Sequence, residues 1–542
     1  MNDKSFNLLH EKWIVVMKPD GSTEEVSLLG LFSKAHHFLR LAGELPTQDI
    51  AVLRLLLAIM HAVFARYDLD GQWAPISSPY DALERWKTLW DAGALPEDTI
   101  ENYLLRYEDR FYLFHPDRPF YQVASLGEAT DYSAAKLNGE LSESGNKSRL
   151  FPQRAGSAKS GLTCAEAARW LLYVNAFDDT SAKPKKKGLP SPGAGWLGKL
   201  GIIAAVGDNL YETLLLNLVL LKDGGDELWG AERPVWEAET VRSGERTEIV
   251  VPDNPSALLT LQSRRLLLRR QEKAVTGYSL LGGDFFPKEN ALNEQMTLWR
   301  KVVDKNSKLP QYHPKRHDPA RQLWRDFSAL AGQAEGGRRP GVVTWLARLK
   351  IDNLIPRSHF RFQTAAVKYG DKDFFVDDVF GDSISFSGDL LTDLGASWVH
   401  RIIDEINTTG MLVEHLGHLG QNVARAEGSS DGNAERETVK EQAFFSLDRP
   451  FRSWLEAIDP HRDDLDQVCD NWWEQARRIV RRIGGDIVSR CGPRAFTGRY
   501  LSERGTEVQR HYSVPEAYQW FLYRTSTRQA LKTVKKGGKD NG

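Results

Sequence analysis

The chain has 542 residues, which is too many for one ordinary hydrophobic core, so we expect two to four domains. Its hydrophobic share of 41% and charged share of 27% are typical of a soluble globular protein. A net charge of −2 excludes a uniformly basic protein, so any nucleic-acid binding must come from local patches.

Three cysteines occur, Cys164, Cys469 and Cys491, and no two of them have C-x-x-C spacing. This pattern excludes a cysteine metal knuckle and a disulfide framework, and it favours a reducing cytoplasm. The first residues contain no long apolar run, so we expect no signal peptide. The longest apolar stretch, VLRLLLAIMHAVF, contains an Arg and a His and is too short to cross a membrane.

A small β unit is predicted over residues 6–33, where KWIVVMK and EEVSL flank the turn PDGS. Residues 45–67 predict a helix with Thr47 as its N-cap. Because this helix is apolar nearly all round, we expect it in a core. Further helix is predicted over residues 78–106.

The segment from Gly145 to Lys199 is strongly basic, with ten Lys or Arg residues against three Asp or Glu residues. One predicted helix, CAEAARWLLYVNAF, divides this segment into two loops. A second basic cluster ends the strand-like run ALLTLQSRRLLLRRQEK at residues 257–273. Together these clusters favour contact with nucleic-acid phosphates, although a basic loop is by itself more often only solvated.

Further along the chain, YHPKRHDP is predicted to be a loop, and ARLKIDNLIP and HFRFQTAAVKYG are predicted strands. From about residue 386, four amphipathic helical segments in succession predict an antiparallel bundle. We therefore predict an α+β fold. A large mixed α/β domain over residues 1–385 would carry nucleic-acid-contacting loops, and a four-helix bundle would span residues 386–542.

The motif GAGWLG at residues 193–198 matches G-x-G-x-x-G, the pattern that binds a dinucleotide pyrophosphate. A buried strand should precede that pattern, but here PKKKGLPSP precedes it, and its prolines lack the hydrogen-bond donors of a strand. The dinucleotide interpretation is therefore disfavoured. Two interpretations stay open, namely a purely structural turn and a Gly/Lys loop that approaches a nucleic-acid backbone.

No catalytic signature such as H-E-x-x-H, a Walker A loop or G-x-S-x-G occurs. His313 and His317 have a spacing that suits a metal on a helix, but the prolines around them favour a surface loop. His415 and His418 fall on the predicted bundle, where structural polar roles outweigh metal ligation. We therefore predict no enzymatic activity, no cofactor and no metal.

Five segments occur in a characteristic order: FNLLHEKWIVVMKPDGSTEEVSLLGLFSKAHHFLRLAGELPTQDIAVLRLLLAIMHAVF, RFYLFHPDRPFYQ, WLLYVNAFD, GAGWLGKLG and LYETLLLNLVLL. In this order they resemble the CasA family, the large subunit of the type I-E CRISPR surveillance complex Cascade. The resemblance covers essentially the whole chain. It implies a mixed α/β domain followed by a four-helix bundle.

The resemblance implies a subunit without catalytic chemistry. Such a subunit recognises the short motif beside the target, the PAM, in double-stranded DNA, promotes unwinding and R-loop formation, and docks the Cas helicase-nuclease in antiviral defence. The implied partners are CRISPR RNA, target DNA, the helicase-nuclease, and the backbone, guide-end-capping and small subunits of Cascade. The implied location is the cytoplasm, away from membranes.

Family members read the PAM from the minor groove with a glycine-rich loop, a lysine finger and a glutamine wedge. By motif position, the loop matches Ala182–Gly188, the finger matches Lys273, and the wedge matches the hairpin Tyr369–Phe375. A guide-RNA-proximal loop matches SRLFPQ. The resemblance thus implies DNA contacts at Lys183, Lys185, Lys186, Lys187, Gly188, Arg270, Lys273, Lys372, Asp373 and Phe374, and guide-RNA contacts at Arg149, Phe151 and Gln153.

This sequence departs from the family pattern at two of these positions. Gly188 is the only glycine of Ala182–Gly188, so phosphate contact by the lysines is favoured over close backbone approach. Lys372, Asp373 and Phe374 stand at the hairpin tip instead of glutamine. There a phosphate would repel the Asp373 carboxylate, whereas Phe374 has the character of an apolar wedge between base steps.

Two other functions compete with DNA reading. One is an assembly scaffold that binds guide RNA and other subunits without reading DNA. The other is a nucleotide-dependent enzyme, which the sequence context of GAGWLG disfavours.

Overall fold

The computed structural model describes residues 4–139, 154–180, 183, 188–240, 244, 246–332, 337–502 and 509–532. The chain divides into two compact units. The first comprises Met1–Pro319 with Ala329–Ile384, and the second comprises Ala320–Ser328 with Ser385–Gly542. Strands and helices alternate in the first unit, whereas long helices dominate the second, and the predicted α+β fold class is confirmed.

The strands of the described residues form three three-stranded and three two-stranded sheets rather than one continuous sheet. Their bounds are β1 Ser5–Asn7, β2 Ile14–Met17, β3 Thr23–Val26, β4 Arg40–Leu41, β5 Tyr112–Phe114, β6 Thr130–Ser133, β7 Ala204–Val206, β8 Arg264–Gln271, β9 Ala274–Gly282, β10 Trp299–Val303, β11 Pro310–Pro314, β12 His359–Tyr369, β13 Val376–Ser387, β14 Arg499–Ser502 and β15 Gln509–Tyr512. Two sheets position the candidate site, with strand orders β13-β12-β7 and β6-β9-β8. In the second of these, β9 pairs antiparallel with both neighbours.

The helices range from single turns to more than eight turns. Their bounds are α1 Leu28–Lys34, α2 Pro46–Phe64, α3 Pro79–Asp91, α4 Glu97–Leu105, α5 Ala134–Leu137, α6 Cys164–Phe177, α7 Leu210–Leu216, α8 Pro255–Leu259, α9 Phe327–Ala331, α10 Gly341–Ile351, α11 Ala396–Glu427, α12 Asn433–Ala457, α13 Leu465–Ser489, α14 Pro493–Thr497, α15 Val514–Arg524 and α16 Arg528–Lys532.

Helix α2 forms the centre of the core of the first unit, because every residue from Ile50 to Phe64 is buried. Leu45 occupies the N-cap position and Pro46 the first helical position, so the predicted N-cap at Thr47 is wrong. Proline suits this position because its φ is already helical and its missing N–H needs no partner. The helix has the length and composition of a membrane span, but 94% of its most apolar stretch is buried inside the protein.

Helix α6 begins and ends where the sequence predicts. Thr163 caps it by a capping box: its Oγ1 accepts a hydrogen bond from Glu166 N at 3.2 Å, while the Glu166 carboxylate accepts one from Thr163 N at 2.8 Å. The helix is buried from Ala167 to its last residue, Phe177. The chain that leaves Phe177 is therefore held rigidly at its start.

Three predicted elements differ from the observed ones. ARLKIDNLIP was expected to be a strand, but its first five residues end helix α10. ALLTL lies in and just after helix α8 rather than in a strand, and the first three residues of YHPKRHDP end strand β11 rather than forming a loop. The helices are buried on most sides, so their apolar residues do not show the period that separates helix from strand.

In the second unit, helix α11 packs against α12, α13 and α15. An aromatic cluster fills this bundle: the Phe451 ring lies 4.2 Å from the Trp324 ring and 5.0 Å from the Trp472 ring, between centroids. Trp324 comes from the short segment Ala320–Ser328, which the sequence did not assign to the bundle. Its indole N–H donates to Asp448 at 3.0 Å, which satisfies the polar end of a buried ring.

Two adjacent glycines in α13 provide a matched test of this packing. A methyl group on Gly484 would lie 2.5 Å from the buried Phe521 ring, whereas one on Gly485 would lie 3.7 Å from the Tyr518 hydroxyl. Alanine raises helix propensity equally at both positions, so the difference isolates the clash. We expect Gly484→Ala to be less stable than Gly485→Ala by about 1–3 kcal/mol. Urea unfolding of the two variants measures this difference, and equal stabilities would contradict the packing described.

Candidate nucleic-acid interface

The loop that follows helix α6 is anchored by a buried ion-pair cluster. Asp178, the first residue after the helix, accepts a hydrogen bond from Arg264 Nε at 2.5 Å and pairs with Lys183 Nζ at 2.8 Å. The three side chains are at most 4% exposed. Burial alone would raise the pKa of Asp178, but the charges of Lys183 and Arg264 outweigh it and lower the pKa to about 2. The carboxylate therefore stays ionised and holds the start of the loop.

Lys183 points into the protein. Besides Asp178, its ammonium donates to the Asp179 carbonyl oxygen at 2.7 Å. This position favours an anchoring role over the predicted phosphate contact, which would require both interactions to break. Gly188 has φ +86°, a conformation that favours glycine. The other predicted loop contacts lie outside the described residues and stay predictions: Lys185, Lys186, Lys187, Arg149, Phe151 and Gln153.

The GAGWLG motif forms the buried end of the same loop. Gly195 N donates to the Asp178 carbonyl at 2.9 Å, and a side chain at Gly195 would lie 2.4 Å from the Ala176 carbonyl oxygen. Trp196 is 4% exposed, and its indole N–H donates to Glu294 at 3.0 Å. Gly195 is therefore required for close packing against α6.

The described residues around GAGWLG do not have the context of a dinucleotide site. Residues 188–192 form no strand, and the motif ends in a single helical turn, Leu197–Lys199, instead of opening a long helix. A pyrophosphate would need both elements, with the helix N-terminus facing the anion. The structure thus agrees with the rejection of the dinucleotide interpretation.

The tip of the β12–β13 hairpin is joined to the loop after α6. Thr180 N donates to the Asp373 carbonyl at 2.9 Å, and Thr180 Oγ1 donates to the Lys372 carbonyl at 3.0 Å. The Tyr369 hydroxyl donates to the Phe177 carbonyl at 2.7 Å. The loop after α6 and the β12–β13 hairpin, which the resemblance assigns to DNA reading, are therefore joined directly by hydrogen bonds.

The three residues at the hairpin tip differ in how freely they can contact a ligand. Phe374 is 44% exposed, a large share for an aromatic ring, and Lys372 is also exposed. The Asp373 carboxylate is paired at both oxygens with the Arg316 guanidinium, at 3.1 and 3.0 Å. Arg316 therefore neutralises the charge that was expected to repel phosphates, and that repulsion is weaker than the sequence suggests.

The β8–β9 hairpin presents the predicted lysine finger. Lys273 is exposed in its two-residue turn, where the preceding Glu272 has φ +53°. Arg270 is held in place, because it donates to Ser5 Oγ at 2.7 Å and lies 4.4 Å above the Phe114 ring. Lys273 is thus the hairpin residue that is placed to reach a ligand, while Arg270 positions the strand end.

Among the residues that the structure describes, no group of three or more His, Cys, Asp or Glu side chains is arranged to hold a metal ion. His317 Nε2 lies 2.9 Å from the Ile202 carbonyl oxygen. His415 Nε2 lies 3.3 Å from the Leu531 carbonyl oxygen. Both histidines therefore have structural hydrogen-bond partners.

The family model of CRISPR-associated protein Cse1 matches residues 7–483 of this chain. The chain belongs to the Cse1 family, also called CasA. A Thermus thermophilus CasA/Cse1 protein is 33% identical over 532 residues, which cover 93% of this chain and 99% of that protein. The crystal structure of Thermobifida fusca Cse1 has a TM-score of 0.81 at 30% identity, covering 98% of this chain and 99% of that chain. A chain of a CRISPR RNA-guided surveillance complex shares the fold, with a TM-score of 0.61 at 15% identity, covering 90% and 100%.

The resemblance to the CasA family is thereby confirmed over most of the chain. Within this Cse1-family fold, sequence reasoning missed three residues that hold the loops together: Thr180, Arg264 and Arg316. Arg264 lies in RRLLLRR, which was noticed for its charge, and Arg316 lies in YHPKRHDP, which was noticed as a loop and for its histidines. Their acidic partners lie 86 and 57 positions away, so no local pattern could have revealed the pairs.

Proposed function

We propose that this Cse1-family chain is the non-catalytic large subunit of a CRISPR RNA-guided DNA surveillance complex. In that complex it recognises the PAM in double-stranded DNA, promotes unwinding and R-loop formation, and docks the Cas helicase-nuclease in antiviral defence. Family membership supports the assembly with CRISPR RNA and other Cascade subunits. The observation that best supports DNA reading is the junction at Thr180. Its hydrogen bonds join the loop after α6, which contains Lys185–Lys187 and is called the Lys-rich loop below, to the tip of the β12–β13 hairpin.

This junction suits duplex DNA because it combines a lysine-rich segment with an exposed aromatic ring. The lysines Lys185–Lys187 follow the anchored start of the loop and would neutralise backbone phosphates. The exposed Phe374 ring stands on the hairpin that is bonded to that loop. Insertion of such a ring between base steps unstacks and kinks DNA, and unwinding requires the same distortion. The lysine finger, Lys273, supplies a further exposed cation.

The proposed setting is the cytoplasm, where free cysteines persist and guide RNA and DNA are both accessible. Cys469 is buried, and Cys164 and Cys491 are partly buried, all as free thiols. Helix α2 serves as a core helix, and we propose no membrane partner.

Charge reversal in the loop tests DNA reading against the scaffold alternative. The triple variant Lys185→Glu, Lys186→Glu and Lys187→Glu should bind target duplex about 100-fold more weakly at low salt, because three phosphate contacts become repulsive. The slope of log Kd against log salt should fall by about 2–3. Duplex titrations of the assembled complex at several salt concentrations measure both quantities.

A matched control reverses three lysines of the C-terminal tail, Lys535, Lys536 and Lys539, and changes the net charge by the same amount. The control should assemble and bind duplex like the unmodified complex. The scaffold alternative predicts a different result for the loop variant, either failure to assemble or unchanged Kd and salt slope. Either of these results would contradict the proposed function.

A further inference from the structure

Lys199 is an unusual cation beside the GAGWLG motif. It ends the helical turn Leu197–Lys199 and is half-buried. Its ammonium lies 3.7 Å from the position that a Cβ atom would take on Gly193. Among the described residues, this ammonium has neither a hydrogen-bond nor an ion-pair partner. Lysines that lose much of their hydration are normally paired, so an anionic ligand is the simplest complement.

The surroundings of Lys199 are cationic. Arg264 donates to the Gly193 carbonyl at 2.6 Å, and Arg246 donates to the Pro190 carbonyl and stacks 3.5 Å above the Phe285 ring. Both guanidinium groups therefore flank the same short stretch of backbone. The Arg316 guanidinium lies 5.5 Å above the Tyr369 ring. Tyr369 also packs against Gly198, because a methyl group on Gly198 would lie 2.1 Å from the Tyr369 hydroxyl oxygen.

The pKa values of Lys199 and Arg246 are lowered in part by these neighbouring positive charges. Burial, together with four neighbouring positive charges, lowers the pKa of Lys199 to about 8. These charges belong to Arg264, Arg246, Lys288 and Arg316. Burial also lowers the pKa of Arg246 to about 10, with a contribution from Arg264.

The acids nearby are already engaged. Asp178 pairs with Arg264, and Asp373 pairs with Arg316. Glu294 is occupied by Arg54 and Trp196, and Glu248 acts on Arg246. The Lys199 ammonium therefore has no carboxylate of its own among the described residues.

We propose that Lys199 forms a seat for one backbone phosphate of bound DNA, with the Arg246 and Arg316 charges beside it. A phosphodiester fits because it carries one permanent negative charge and several acceptor oxygens that can take donors from different directions. The seat lies at the base of the Lys-rich loop and against Tyr369 of the wedge hairpin, so a strand held by these elements passes close to it. This inference rests on the proposed function and adds a specific contact to it.

The proposed phosphate seat makes duplex affinity depend on pH. A bound phosphate raises the pKa of Lys199 above its value in the free protein, so binding takes up a proton when the pH is near or above 8. Duplex affinity should therefore fall as the pH rises from 7 to 9. Backbone phosphates do not titrate over that range, and Arg246, whose pKa is about 10, stays largely charged up to pH 9. Removal of Lys199 should therefore flatten most of the profile.

The experiment compares Lys199→Met and Lys199→Arg in the assembled complex. The methionine variant should bind duplex about 5–10-fold more weakly at pH 7, with a salt slope lower by about 0.9 and a flattened pH profile. The arginine variant should retain affinity and slope, because its charge persists. Lys12→Met, which removes an exposed lysine just before β2, should behave like the unmodified chain. Thermal melting of each variant checks that it is folded.

Three results separate the possibilities. Unchanged affinity, slope and pH profile in a folded Lys199→Met complex would overturn the phosphate seat. The same DNA results together with a rise in melting temperature on adding millimolar inorganic phosphate, seen only when Lys199 is present, would assign the seat to a free anion and overturn the DNA assignment. Failure of the proposed function looks different, because the unmodified complex would then bind duplex equally well without this chain.

Discussion

Replacing Glu294 with alanine should lower the free energy of unfolding of the first unit by about 3–5 kcal/mol, because the change leaves a buried guanidinium unpaired. Glu294 holds Arg54 through two hydrogen bonds of 2.8 and 2.9 Å, and both side chains are at most 2% exposed. The same carboxylate accepts the Trp196 indole N–H at 3.0 Å. One residue therefore ties the core helix α2 to the GAGWLG end of the candidate DNA loop.

Hydrogen exchange followed by mass spectrometry measures this effect in the right unit, because opening of α2 is resolved from opening of the C-terminal helices. Protection of α2 amides should fall by a factor of about 100 or more in Glu294→Ala. Glu289→Ala provides the control, since the Glu289 side chain is 37% exposed and its carboxylate lies 3.7 Å from the His313 ring. Equal protection in the two variants would contradict the anchoring role of Glu294.

The contribution of Glu294 also has a defined pH dependence. Burial alone would raise the pKa of this carboxyl, but Arg54 and Trp196 outweigh burial, and the pKa lies below its ordinary value. Since the folded pKa is the lower one, this stabilisation is present above the pKa of the unfolded chain and is lost as the pH falls toward the folded value. Acid should therefore loosen α2 and the Trp196 loop together.

Local signals in the sequence were sufficient for several elements of the fold. Helix α6 was predicted with its observed ends from the helical pattern of CAEAARWLLYVNAF, and the structure adds the capping box of Thr163 and Glu166 that fixes its start. The last five residues of helix α10 were mistaken for the start of a strand because the helix is buried on most sides, so no helical period is visible. The membership of Ala320–Ser328 in the second unit depends on the packing of Trp324, which is a tertiary contact.

The candidate site was predictable only in outline. Resemblance located the Lys-rich loop and the hairpin Tyr369–Phe375, but the hydrogen bonds of Thr180 that join them span 192 positions or more. Lys183 points inward because it pairs with the buried carboxylate of Asp178. The local sequence does not show that Asp178 is buried. The pairing of Asp373 with Arg316 likewise weakens the phosphate repulsion that was inferred from residue type alone.

The measurement that tests the central claim most directly is duplex binding by the reconstituted guide-RNA complex, with and without this chain. The target should match the guide and carry a randomised flanking motif, and the salt concentration should be fixed, because phosphate contacts make every affinity salt-dependent. Selection of bound sequences reports the motif preference, and titration reports the affinity.

If the chain reads the PAM, its omission should weaken binding by about 100-fold or more and abolish the preference for any flanking motif, while the remaining subunits still hold guide RNA. Restoring the chain should restore both. If affinity and motif preference are the same without the chain, it does not read the DNA, and the scaffold function stands in place of the one proposed.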